Sequence, residues 1–164
     1  AGGITHLAGE LFSHLAGIQM THIPYRGESA AIADLLGGQT QLQFASPLNA
    51  GPHLNAGKLR ALGISSAKRN AAMPGIPTIA ESGLAAYDVS QWYGAITSAK
   101  VPAAQVDRLA RAFAAAAREP EITQRLRTDG VEAISSSPVV FHTHITAEIA
   151  KWAKLLKETG LQLQ

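Results

Sequence analysis

The chain has 164 residues, 46% of them hydrophobic and 16% charged, with a formal net charge of +2. That length fits one domain, or one domain and part of another, with enough apolar residues for a sizeable core. With no cysteine, thiol catalysis, disulfides and cysteine-ligated zinc are excluded.

The opening "THLAGELFSHLAG" has Leu7, Leu11, Phe12 and Leu15 on one helical face, with Thr5 as the expected N-cap and Gly17 as the stop. A strand is expected over residues 19–25, then a helix over 29–36 closed by Gly37 and Gly38. "TQLQFAS" alternates as a strand does, "PLNAGPHLNAG" reads as a short helix broken at Pro52, and "LRALGIS" as a third strand. Strands joined by helical crossovers call for a parallel sheet covered by helices. After Ser66 a proline-rich segment leads to a short helix that Thr78 is placed to cap, and "VSQWYGAITSA" is β-rich.

Beyond Lys100 the pattern is mostly helical. Pro102 suits a first turn, Val106, Leu109 and Phe113 form a stripe, and a second helix runs from Pro120 to a stop at Gly130. "VEAIS" is expected as a short strand. The last helix has Ser137 as cap, Pro138 in its first turn and Gly160 as its end, with Phe141, Ile145, Ile149, Trp152 and Leu156 along one face. One short strand cannot cover three helices, so this third is expected to belong to a lobe whose other half lies elsewhere.

Arg108, Arg111, Arg118, Arg125 and Arg127 alternate with Asp107, Glu119 and Glu121, a solvated helix surface and not a nucleic-acid stripe. No apolar run is long enough to span a membrane and no signal peptide is visible; the opening residues read as the middle of a fold. The six histidines lack metal-site spacing, so no metal is expected. "GISSA" resembles a nucleophile elbow, but Ser65 leads into the proline-rich segment and not a helix. No phosphate-binding glycine motif is present, and no cofactor is expected.

What remains is three polar junctions that precede helices: "AGGIT", "YRG" and "FASPLN". A parallel sheet puts such junctions at one edge, where helix N-termini and their dipoles suit a carboxylate. Glycines at 2, 3 and 27 allow close approach, Thr5 and Ser46 offer hydroxyls, and Arg26 offers a bidentate partner. On pattern alone these residues serve equally as caps and surface groups.

"HLAGELFSHLAG", "HIPYRGESAAIADLLGGQ", "GPHLNAGKLRALGISSAKR", "MPGIPTIAESGL" and "QWYGAI" together resemble the solute-binding proteins of tripartite tricarboxylate transporters, the Bug family. The resemblance implies an α/β, type II periplasmic-binding-protein-like parallel-sheet lobe, followed by a mostly helical portion of the other lobe. Residues 1–96 would form lobe two, including a crossing strand at "QWYGAI", and residues 97–164 the C-terminal part of an incomplete lobe one. It further implies a periplasmic receptor, not an enzyme, that closes over a small di- or tricarboxylate and works with the membrane components of a transporter. The implied contacts are Gly3, Thr5, Tyr25, Arg26, Gly27, Ala45 and Ser46.

Two departures matter. Gly3 stands where relatives often carry a hydroxyl, and Ala45 where many carry an acid or amide. Ala45 leads to the expectation of a plain organic acid over an amino acid. The chain alone is expected to bind ligand weakly and to form a homodimer through its C-terminal helices. The rival readings are the effector lobe of a transcription regulator, which would need a DNA-binding motif, and a weak serine-hydrolase-like enzyme.

Overall fold

A computed structural model describes residues 2–71 and 73–161, which form two compact units, one covering residues 2–91 and the other Trp92–Leu161. The predicted lobe boundary after Ile96 lies inside the second unit.

The first unit holds three helices: α1 (Ile4–Ala16), α2 (Glu28–Leu36) and α3 (Pro47–Asn55). Gly3, and not Thr5, is the N-cap of α1; Thr5 lies in the first turn. Gly17 ends α1 in the left-handed conformation at φ 64°, which costs a glycine little. Pro52 does not break α3, and the Ala56 N–H donates to the Pro52 carbonyl at 3.1 Å. Helices α2 and α3 pack on each other.

The predicted strands over 19–25, 40–46 and 59–65 lie between helices but form no ladder among the described residues. Pairing there is a single parallel bridge between Ile64 and Thr78. Alternation marks a segment that suits a half-buried surface, but a ladder also needs a partner in register, which alternation does not specify. Around the bridge, Ile64 donates to Pro77, Ile79 donates to Ile64, and Val89 donates to Ser65, each at 2.8–2.9 Å. Ile64 thus bonds to Pro77 and Ile79, and Ser65 to Val89.

Leu7, Ala8, Ile32, Tyr87 and Val89 are buried here. Phe12, Phe44 and Tyr87 form an aromatic cluster with ring centroids 6.0–6.5 Å apart, a geometry that adds to the area the rings bury. A Cβ at Gly9 would meet the Phe44 ring at 3.7 Å, an ordinary van der Waals distance, so α1 passes directly against the segment that carries Phe44. The predicted short helix at Thr78 is a turn. Its ends are closed as a capping box closes a helix: Thr78 N–H donates to Glu81 at 2.8 Å, and Glu81 N–H to Thr78 Oγ1 at 3.0 Å.

The second unit holds α4 (Ala103–Ala116), α5 (Pro120–Thr128) and α6 (Pro138–Thr159). Pro102 is the N-cap of α4, one position before the first turn. Ser137 caps α6 and Gly160 ends it at φ 69°, as the pattern implies. The "VEAIS" segment forms no strand among the described residues. On α6 the sheltered face runs through Phe141, Ile145, Glu148, Trp152 and Leu155, while Ile149 is 64% exposed. Alternating steps of four and three keep to one face; two successive fours, from Phe141 through Ile145 to the expected Ile149, drift off it. Glu148 can sit on that face because it accepts from the Trp152 indole at 3.1 Å and pairs with Lys151. Helix α4 packs on α6.

Candidate functional site

The three helix-start junctions lie in the first unit. Helix α1 begins at Gly3 without a side-chain cap, so the amides of Ile4 and Thr5 have no acceptor within the helix. Gly3 and Thr5 are exposed. His6, one position on, accepts from the Gly2 N–H at Nδ1 (3.1 Å), which leaves Nε2 to carry the hydrogen toward Glu10, 3.4 Å away. The His6 ring stacks on His22 with centroids 3.8 Å apart. Burial, and then the neighbouring His6, hold the His22 imidazole below its usual range. This stack ties the start of α1 to the segment that leads into Tyr25.

Tyr25 commits its hydroxyl hydrogen to Asp34 Oδ2 at 2.7 Å, which raises the phenol above its ordinary range. The bond latches the turn "YRG" onto α2. Arg26 and Gly27 are exposed, and Gly27 is the N-cap of α2 in extended backbone, again with no side-chain cap. Among the predicted residues, Arg26 therefore presents a cation beside a helix start whose first amides need acceptors.

The third junction differs. Ser46 caps α3 by accepting from Asn49 N–H at 3.4 Å. Its own N–H and hydroxyl donate to the two oxygens of Glu28, the hydroxyl at 3.0 Å, and Asn49 Nδ2 donates to Glu28 as well. The carboxylate of Glu28, the first residue of α2, therefore sits at the start of α3, where an anion is favoured. Ala45 is exposed beside it.

The hydrogen bonds bring Gly27 and Ser46 together through Glu28, and the histidine stack brings the Gly3–Thr5 turn toward Tyr25. Helix α1 further down, at Gly9 and Phe12, lies against Phe44, the residue before Ala45. Sequence reasoning missed Glu28, Asn49, Asp34 and the histidine pair. An acid just after a glycine cap was the one visible signal for Glu28; its reach to Ser46, 18 positions away, was not.

The serine-hydrolase reading loses its scaffold here. Ser65 is followed by bends and no helix. No group of side chains suited to a metal ion occurs among the described residues. No helix among them is long and apolar enough to cross a membrane.

A family profile described as "Tripartite tricarboxylate transporter family receptor" matches residues 1–161. The chain is 32% identical, over 98% of its length, to the "UPF0065 protein in tcbD-tcbE intergenic region" of Pseudomonas sp. strain P51 and covers 48% of that protein. Among solved structures it is similar to Rpa4515 of R. palustris with adipate, at 33% identity and a TM-score of 0.85, covering 97% of this chain and 53% of that one. It is also similar to MatC of Rhodopseudomonas palustris with bound malate, at 26% identity and a TM-score of 0.80, covering 94% and 54%. The fold is thus that of type II periplasmic binding proteins, and the chain spans about half the length of the relatives it matches.

Proposed function

The chain belongs to the tripartite tricarboxylate transporter receptor family, and from that premise we propose that the protein it comes from is a periplasmic receptor for a small organic acid. Dicarboxylates are the first candidates, and the membrane components of a transporter are the partner. The observation that carries this reading is the likeness, over 97% of the chain, to a protein solved with adipate. The geometry supports it: two helix starts, at Gly3 and Gly27, lack side-chain caps and suit a carboxylate.

In this reading Gly3 and Thr5 form one side of the rim, Arg26 and Gly27 a second, and Ala45 and Ser46 a third. Tyr25 acts by fixing the turn. Residues 1–96 contribute lobe two and residues 97–164 part of lobe one, and closure of the lobes holds the ligand. The reading assigns no reaction and no cofactor. Leu109, Phe113 and Ile149 are 48%, 58% and 64% exposed; these support self-association of the chain on its own, which light scattering across concentrations would detect and a constant monomer would rule out.

Native mass spectrometry of the full-length protein, purified without denaturation, tests the main reading. Release of a small carboxylic acid is expected. A nucleotide, a sugar or a peptide in its place would overturn it.

A further inference from the structure

The charge at the start of α3 is already provided for. Glu28 takes the Ser46 N–H on one oxygen and the Ser46 hydroxyl and Asn49 amide on the other. These are the donors an incoming carboxylate would need at that helix start. Ser46 Oγ is also saturated, since it accepts from both the N–H and the Nδ2 of Asn49, at 3.4 and 3.0 Å. A carboxylate that approached would find these donors spent and a like charge within a few ångströms. The starts of α1 and α2 have no such occupant from a capping side chain.

We infer that Glu28 is a specificity-determining residue: its carboxylate fills the anion position of α3, so the receptor accepts dicarboxylates and rejects ligands that bear a further carboxylate on this side. This rests on the proposed receptor function and names the substrate class within it. It also changes the meaning of Ala45. A short apolar residue there does not leave the junction without an acid, because Glu28 brings one to the neighbouring Ser46. The Ala45-based preference for plain acids over amino acids loses its premise.

The test uses matched acids that differ by one carboxylate. Adipate is paired with butane-1,2,4-tricarboxylate, and glutarate with propane-1,2,3-tricarboxylate, by calorimetry on the full-length protein. The wild type is expected to bind a diacid at least tenfold more tightly than its triacid partner. Glu28→Gln keeps the side chain's shape and removes its charge, and is expected to shrink that ratio at least tenfold. Glu28→Ser, which suits a helix start, gives the same readout if the glutamine variant does not fold. General damage to the fold weakens both members of a pair and leaves their ratio unchanged. A ratio that neither variant moves, or a wild type that prefers the triacid, overturns the role of Glu28 while leaving the receptor reading intact. A wild type that binds none of the four acids while a ligand of another class binds overturns both.

Discussion

The hydroxyl of Tyr87 donates to the carbonyl of Ala8 at 3.0 Å, which joins residues 79 positions apart. Tyr87 is 1% exposed and Ala8 3%, and the Tyr87 ring packs on Phe12 and Phe44. The bond pins the middle of α1 to the segment that follows the Thr78 turn. Tyr87→Phe keeps the ring and removes the bond, and the Ala8 carbonyl keeps its helical partner. A loss of about 1 kcal/mol is expected, seen as a fall of about 2–4 °C in the melting temperature. An unchanged melt would deny the bond its role.

Alkali should find the same residue. Burial pushes the Tyr87 phenol well above its ordinary value, so the folded state resists its ionisation. A phenol raised on folding contributes stability that is full below its unfolded value, about pH 10, and that is lost as the pH rises through the folded value. Stability should therefore decline above about pH 10 by up to about 1.4 kcal/mol per pH unit from Tyr87. Tyr25, raised by its bond to Asp34, adds in the same direction. Denaturant melts of Tyr87→Phe between pH 9 and 12 should show a shallower decline than wild type.

Acid should act through the Thr78 turn. The Thr78 N–H, and then Arg69, hold the Glu81 carboxyl below its usual range, with the Arg69 guanidinium 2.9 Å away. A lowered carboxyl contributes stability that is present above its unfolded value, about 4.3, and lost as the pH falls through the folded one. Glu81→Gln should lower stability at pH 7 and flatten the decline below about pH 4. Parallel acid titrations of the two proteins would expose the assignment as wrong.

These features were unevenly legible in the chain. Helix ends written in local chemistry, Ser137 with Pro138, Gly160, Gly17 and Pro120, are read directly because the group that stops or starts the helix is adjacent to it. The strands were not, since pairing depends on a partner that alternation cannot name. On α6, Ile149 is exposed and Leu155 buried, because the sheltered face takes its step of three at Glu148, where a charged residue gives no apolar signal. At the rim, the glycine turns and Ser46 were visible as helix starts, whereas the Glu28 bridge and the His6–His22 stack depend on folding that brings distant segments together.

Gly94 is set by a ring. A Cβ built there would run into the Phe141 side chain, which itself meets Trp92 edge-on at 5.5 Å. Gly94→Ala is expected to cost about 1–3 kcal/mol through overpacking. Adding Phe141→Leu should recover part of that loss, because the two changes touch each other. Equal melts for wild type and Gly94→Ala would contradict the contact.

The central claim is that exposed helix starts beside Thr5 and Arg26 receive a ligand carboxylate. Its most direct measurement is a calorimetric titration of the full-length protein and its Arg26→Ala variant with the acid that binds the wild type. Loss of a charge-assisted bond of about 1.5–3 kcal/mol predicts affinity weakened at least tenfold, with the melting temperature of the free protein unchanged. Undiminished binding by Arg26→Ala would contradict the account.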